Sequence, residues 1–127
     1  MKRNRILLVM LLLCICLTSV SYAAEGVSKS KPAGEYGTLT GEISPMLVTT
    51  TRITVNPDNA YLRDKLDIQN SSGVTTNSYI RTSLDGALTF IVNPPPELWG
   101  YRAYCAHNVQ GGSRYQAHVV YTTMRLN

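Results

Sequence analysis

The spacing of β-forming residues between turns constrains the fold of this chain more than any other feature. Threonine, valine, isoleucine and tyrosine recur in short segments, and turn residues separate these segments at intervals of about ten positions. No segment carries apolar residues at the helical period of about 3.6 over three turns. The sequence therefore predicts an all-β protein, specifically a small antiparallel β-sandwich of about six to eight strands.

Seven segments read as strands, and segment 61–70 has the clearest alternation. There Leu62, Leu66 and Ile68 point to one face while charged residues point to the other, which indicates one buried and one solvated face. A run of three prolines at 94–96 cannot sit in a central strand and predicts a crossover between two sheets, so a sandwich is favoured over a closed barrel. The predicted strands are 36–43, 47–55, 61–70, 74–83, 87–92, 101–109 and 114–124.

The first 23 residues have the three parts of a secretory signal peptide. Basic residues lie at 2–5, an apolar run covers 6–17, and small residues precede a cleavage point after Ala23. The apolar run is shorter than the roughly 20 residues that span a bilayer, so a membrane anchor is the weaker alternative. Lipid modification is disfavoured because Cys14 and Cys16 lie inside that run. We expect a secreted protein, or a periplasmic one in a Gram-negative cell, and the short basic start favours a bacterial origin.

Cleavage of this signal would leave a nearly neutral chain. The whole sequence has 12 basic and 8 acidic residues, and three of the basic ones lie in the signal. No basic cluster remains that could follow a phosphate backbone, so the sequence argues against nucleic-acid binding. Contact with the membrane is expected only through the signal peptide before its removal.

The mature chain divides into a short lead-in and one domain. Residues 24–34 are rich in glycine, serine and lysine and predict a flexible lead-in. Residues 35–127 are long enough for one modest hydrophobic core, so they predict a single antiparallel β domain.

Cys105, His107 and His118 are the candidates for metal or thiol chemistry. The glycine pair in 110–113 predicts a two-residue type I′ turn, because such a turn needs positive φ. In that register Cys105 faces His118 and all three candidates share one face, which would suit a three-ligand metal site or a histidine-activated thiolate. The alternative, simple packing, is favoured because no CxxC or HxxxH spacing occurs.

Cys105 would be the only cysteine of the mature chain, so an internal disulfide is excluded. In an exported protein such a thiol is buried, links two chains or reacts. Burial is favoured because free cysteine is among the most buried residue types, and a homodimer linked through Cys105 is the alternative.

Trp99, Tyr101 and Tyr104 are the candidate ligand-binding residues. Trp99 follows the proline run, and an exposed tryptophan beside tyrosines can stack on a sugar or a peptide. The alternative is that Trp99 closes one end of the core. Tyrosine greatly outnumbers the single phenylalanine, which suits half-wet strand faces and recognition surfaces.

These features together favour a small secreted, non-enzymatic binding protein with an unknown extracellular or cell-envelope partner. The sequence contains no phosphate-binding loop, GxSxG, HExxH or calcium-loop motif, and no cofactor is predicted. A bacteriocin-like antagonistic protein fits the same size, export and composition. A metal-binding or thiol protein built on Cys105, His107 and His118 is the second alternative.

Overall fold

The computed structural model describes residues 26–126, which form two antiparallel sheets of four strands each. The predicted antiparallel β-sandwich is confirmed. A short 3-10 helix, Gly34–Tyr36, separates the first two strands. The strands are β1 (Val27–Pro32), β2 (Thr38–Ile43), β3 (Thr49–Ile53), β4 (Tyr61–Gln69), β5 (Thr75–Thr82), β6 (Thr89–Val92), β7 (Arg102–Gln110) and β8 (His118–Arg125).

Strand order separates the chain into two sheets that are linked by three crossovers. Sheet A has the order β1-β2-β3-β6, and sheet B has the order β5-β4-β7-β8. The connection from β6 to β7 contains the three prolines and passes from sheet A to sheet B, as predicted. The predicted signal peptide, residues 1–23, lies outside the described residues. Within the part of the chain that the structure describes, no helix is long and apolar enough to cross a membrane.

The predicted flexible lead-in at 24–34 is wrong for most of its length, because it contains β1. Val27–Pro32 pairs with β2 along its whole length. Ala33 and Tyr36, which follow β1, are completely buried. Backbone hydrogen bonds hold β1 while most of its side chains are exposed, so no apolar pattern in the sequence indicates this strand.

The core consists of two apolar clusters with a layer of polar residues between them. The predicted inward face of β4 is confirmed, since Leu62, Leu66 and Ile68 are all buried. The first cluster contains Ala33, Tyr36, Leu39, Ile53, Ala60, Leu62, Val109 and Val120. The second contains Ile43, Leu47, Leu66, Ile68, Ala103, Cys105 and Met124. The polar layer comprises Gly41, Thr49, Thr51, Asp64, His107 and Thr122.

Alternation along the strands creates this layering. On β4 the inward residues run Leu62, Asp64, Leu66, so a carboxylate lies between the two clusters. On β7 the inward residues are Val109, His107 and Cys105, and Cys105 belongs to the second cluster. The imidazole of His107 therefore lies at the same level as the carboxylate of Asp64. Asp64 and His107 are direct partners in the β4–β7 ladder.

The β7–β8 hairpin has a different register from the predicted one. Val109 pairs with His118, and Cys105 pairs with Thr122 rather than with His118. Residues 111–117 form a longer loop in place of a two-residue turn. Gly111 does have the positive φ of 75° that was expected. The register differs because the rest of the loop is anchored to a distant residue, Asp58.

Candidate functional site

A chain of hydrogen bonds crosses the core through the polar layer. The hydroxyl of Thr49 donates to Oδ2 of Asp64 at 2.9 Å, and the hydroxyl of Thr51 donates to Oδ1 of the same carboxylate. Oγ1 of Thr51 also lies 2.9 Å from Nδ1 of His107. On the other side of the ring, Nε2 of His107 lies 2.6 Å from Oγ1 of Thr122. Because the threonines at 49 and 51 are on β3, this chain connects sheet A to sheet B.

The hydrogen-bond directions determine the tautomer of His107. A threonine hydroxyl has one proton, and while Asp64 is ionised that of Thr51 is donated to its carboxylate. Oγ1 of Thr51 must therefore accept a proton from Nδ1 of His107. The opposite nitrogen, Nε2, then accepts from Thr122. The imidazole is thus neutral with its proton on Nδ1.

Burial favours the uncharged forms of both titratable groups in the layer. It raises the pKa of Asp64, and the hydroxyls of Thr51 and Thr49 oppose that rise. It lowers the pKa of His107 to about 4. Within residues 26–126 every buried side-chain nitrogen or oxygen has a hydrogen-bond partner. The layer is therefore a satisfied hydrogen-bond network that joins the two sheets.

The structure brings together two of the three predicted metal candidates. Sγ of Cys105 lies 3.9 Å from Nδ1 of His107. His118 pairs with Val109 instead. It lies four residues along β8 from Thr122, the partner of Cys105, so about 13 Å separates His118 from Thr122 along the strand. No group of three histidine, cysteine, aspartate or glutamate side chains in the described part of the chain could hold a metal ion.

His118 lies at the edge of the first apolar cluster. Its ring meets that of Tyr36 edge-on, with the centroids 6.3 Å apart. The ring also covers the backbone of Gly34, where an added Cβ would lie 3.5 Å from Nε2. His118 is thus a packing residue in this fold.

The environment of Cys105 is opposite to that of an activated thiol. Of the alternatives for this cysteine, the structure shows burial, since its exposed fraction is 0%. Burial raises the pKa of the thiol, and the carboxylates of Asp64 and Asp67 raise it further. A thiolate–imidazolium pair needs a lowered thiol pKa and a protonated histidine, whereas burial here opposes both.

Asp58 anchors the long β7–β8 loop to the rest of the domain. Its carboxylate accepts the hydroxyl of Tyr36 at 2.8 Å and the backbone N–H groups of Arg114 and Tyr115 at 3.1 and 2.9 Å. Burial alone would raise the pKa of Asp58, but the N–H of Tyr115, the hydroxyl of Tyr36 and the N–H of Arg114 together lower it. Burial and the carboxylate of Asp58 raise the pKa of Tyr36 to about 12.

Trp99 lies in an apolar concavity of the surface. We call it the Trp99 groove; it has a volume of about 360 Å³ and is lined by residues 45–48, 93–96, 98 and 99. Trp99 is 52% exposed and Met46 is 83% exposed, so two large apolar side chains of the groove are open to solvent. The lining has two residues with a polar side-chain group, the amide of Asn93 and the indole N–H of Trp99, and none is charged.

A tight turn between β2 and β3 positions Met46. The N–H of Leu47 donates to the carbonyl of Ser44 at 2.9 Å, and the hydroxyl of Ser44 accepts the N–H of Val48 at 3.1 Å. Leu47 has a positive φ of 64°, and its side chain is buried in the second apolar cluster. Met46, the preceding residue, is left in solvent at the rim of the groove.

The other wall is fixed against the end of β4. The N–H of Tyr101 donates to the carbonyl of Gln69 at 2.9 Å. A Cβ at Gly100 would lie 2.5 Å from Cγ2 of Ile68, so only glycine permits this approach of the backbone. Leu98 packs against the second apolar cluster, and Trp99 remains half-exposed beside it.

The three predicted ligand residues lie in different surroundings. Trp99 is in the groove, whereas Tyr104 lies on the outer face of sheet B, where its ring is 6.2 Å from that of Tyr121. Tyr101 packs under the guanidinium of Arg125, with 4.9 Å between that group and the ring centroid. The structure thus separates the Trp99 groove from the outer tyrosine face of sheet B, which the sequence analysis had treated as one candidate surface.

The sequence analysis did not predict the polar layer, nor that Met46 lines the Trp99 groove. Asp64 lies two residues from Leu62 and two from Leu66, so the alternation along β4 alone could have placed its side chain on the buried face. Met46 precedes Leu47, whose positive φ has no clear signal in the sequence.

No family model matches the chain, and no curated protein or solved structure is significantly similar to it.

Proposed function

We propose that the mature chain is a secreted, non-enzymatic binding protein whose Trp99 groove binds an extended apolar peptide segment of an extracellular or cell-envelope partner. The observation that supports this proposal is the joint exposure of Trp99 and Met46 over an uncharged apolar groove. Tryptophan is enriched at the energetic centres of interfaces, and methionine adapts its shape to varied apolar ligands.

The lining favours a peptide over a sugar. A sugar brings many hydroxyl groups, each of which needs a hydrogen-bond partner when it leaves water. The side chains of the groove supply only the amide of Asn93 and the indole N–H of Trp99. Apolar peptide side chains need only surface to pack against, and the three prolines provide a stiff wall that loses little entropy on binding.

A selection experiment tests the binding site. A phage-displayed library of random peptides is panned on the mature protein, and each enriched peptide is titrated while the fluorescence of Trp99, the single tryptophan of the chain, is recorded. We expect apolar sequences that shift this fluorescence. In calorimetric titrations, Trp99→Ala and Met46→Ala should each weaken binding by about tenfold or more.

Tyr104→Ala is the matched control, because it removes an exposed aromatic ring from the outer face of sheet B and leaves the groove intact. This variant should bind like the wild type. Failure to enrich any peptide would contradict the proposal. So would peptides that bind Trp99→Ala normally and lose affinity for Tyr104→Ala, since the outer tyrosine face would then be the binding surface.

Export is the other part of the proposal, and the basic start, apolar run and small-residue exit of residues 1–23 support it. Expression of the full chain in a bacterial host should give an exported product that begins at Ala24, as determined by intact mass. A product that keeps its first 23 residues, or that stays in the cytoplasm, would contradict this part.

A further inference from the structure

Strand β5 is the least protected edge of the sandwich. It is eight residues long, contains neither lysine nor proline, and has only Tyr79 partly buried. Proteins usually guard such edges with lysine, proline or short length. The other edges follow this rule: β1 contains Lys29, Lys31 and Pro32, β6 has four residues and leads into the prolines, and β8 packs against β1.

Pairing with β4 determines which residues of β5 have backbone groups free to bond to another strand. The N–H of Ser83 donates to the carbonyl of Leu62 in β4 at 2.8 Å. In an antiparallel ladder these bonds alternate, so from Asn77 to Thr82 the odd-numbered residues direct their backbone groups toward β4. The register shifts at Ile68/Gln69, which ends this pattern before Thr76. The even-numbered residues Ser78, Ile80 and Thr82 direct theirs away from β4, where they can pair with another strand. The carbonyl of Ile80 now accepts a hydrogen bond from the guanidinium of Arg81 at 2.7 Å, which an N–H of a second strand would replace.

We propose that β5 pairs antiparallel with β5 of a second copy of this chain, about a two-fold axis at Tyr79. The two four-stranded B sheets then become one continuous sheet. In this register Ser78 lies opposite Ile80 of the second copy. The backbone N–H and C=O groups that both residues direct away from β4 can therefore hydrogen-bond to each other. It also places the two Tyr79 rings as a cross-strand aromatic pair, a favourable combination in sheets.

The charges of β5 are compatible with this pairing. Arg81 is the single charged residue of β5, and in the proposed register it faces Asn77 of the second copy rather than the other Arg81. No ion pair joins Arg81 to a carboxylate among residues 26–126; its guanidinium lies 4.0 Å from the ring centroid of Tyr79. Self-pairing therefore places no like charges opposite each other.

An open groove beside β5 gives the second copy further surface to cover. It has a volume of about 400 Å³ and lies between the two sheets, where Tyr79 and Arg81 of β5 face Phe90 and Val92 of β6. In the proposed dimer the groove of each copy abuts that of the other. Partly buried aromatic surface, which now faces solvent at the open side of the sandwich, is then removed from water.

Charge variants at position 77 test both the dimer and its register. Sedimentation equilibrium of the chain purified after signal cleavage gives the dimer dissociation constant. Asn77→Asp places a carboxylate opposite Arg81 twice per dimer and should tighten the dimer about tenfold, whereas Asn77→Arg should weaken it about tenfold. The double variant Asn77→Arg/Arg81→Asp should restore it. Within one chain these positions are about 13 Å apart along the strand, so they interact mainly across the dimer.

Cross-linking gives a second, independent measurement. Tyr79→Cys places two thiols at the axis, where opposed Cα atoms are about 4.5 Å apart, and mild oxidation should give a covalent dimer. Asn77→Cys is the matched control, because its Cα atoms would be about 13 Å apart and should not be linked. A chain that stays monomeric at all concentrations overturns the proposal. A dimer that ignores the charge at 77 and cross-links at neither position also overturns it, because it uses another surface.

Discussion

Nδ1 of His107 lies 3.8 Å from Oδ1 of Asp64, and the hydroxyl of Thr51 bridges the two groups. Both side chains are buried between the two apolar clusters of the core. Because burial changes the pKa of each, the packing of the two sheets is coupled to proton binding. The polar layer should therefore make the stability of the domain depend on pH.

The free energy of unfolding should fall as the pH is lowered from 6.5 to 4. His107 has a pKa of about 4 in the folded chain against 6.5 in the unfolded chain, so the unfolded state takes up the proton first in this window. The shift corresponds to a loss of about 3 kcal/mol at most. Asp64 reduces that loss, because its raised pKa makes protonation favour the folded state at pH values above 3.8. Urea unfolding at pH 7 and at pH 4.5 measures the difference.

Variants of the two histidines identify the source of this pH dependence. His107→Gln should unfold with a much flatter dependence between pH 6.5 and 4, whatever its stability at pH 7. His118→Gln is the matched control, since it removes the other histidine of the chain and should keep the wild-type slope. An unchanged slope in His107→Gln would show that other groups control the acid sensitivity.

The tautomer of His107 can be observed directly. While Asp64 is ionised and accepts from Thr51, the hydrogen bonds of His107 place the proton on Nδ1 and leave Nε2 as the acceptor from Thr122. Long-range ¹H–¹⁵N spectra at pH 7 should show Nδ1 as the protonated nitrogen. Thr122→Val removes the donor to Nε2 and should move the Nε2 resonance more than that of Nδ1. Protonation on Nε2 in the wild type would contradict the hydrogen-bond directions derived for the layer.

Gly41 is required for His107 to fit between the sheets. An added Cβ would overlap the Cγ and Cδ2 atoms of the imidazole, which the packed core leaves little room to move. Gly41→Ala should lower the free energy of unfolding by about 2 kcal/mol, as overpacked cores do. Adding His107→Ala should remove most of this cost, so a double-mutant cycle measured by urea unfolding should be strongly non-additive. Additive effects would mean that the ring is not what Gly41 accommodates.

Much of the fold follows from local patterns, whereas the positions of its polar residues do not. Alternation predicted β4 well, and the prolines predicted the crossover at 94–96, because both signals act within a few residues. The register of β7 and β8 depends on Asp58, which lies more than 40 residues before the loop it anchors. A local turn rule applied to Gly111 and Gly112 has no information about that anchor.

The candidate site was predictable to a similar extent. Trp99 beside the prolines indicated a recognition surface, but Met46 joins it only through the fold of a separate turn. The apolar preference for inward positions argued against burying Asp64 and His107. Their burial is possible because each finds hydrogen-bond partners on other strands, which no single segment of sequence can show.

The loop at 111–117 should lose its order when Asp58 is changed. Asp58→Ala removes the acceptor for the N–H groups of Arg114 and Tyr115, so both amides should exchange hydrogen much faster in the folded protein. Hydrogen exchange followed by NMR measures each amide separately. Asp85→Ala, at an exposed turn, is the control and should leave both amides protected. Unchanged protection in Asp58→Ala would show that the loop is held by other contacts.

Cys105 should resist thiol reagents in the folded protein. Its side chain is completely buried and its pKa is raised, so both access and thiolate formation are suppressed. With Ellman's reagent at pH 8, a native chain of residues 24–127 should react only at the rate of unfolding, and the same chain in 8 M urea should release about one equivalent of thiol at once. The same native sample should contain no stoichiometric zinc or copper by elemental analysis. Rapid reaction of the native thiol, or one equivalent of metal that is lost in His107→Gln, would instead favour the thiol or metal-binding alternative.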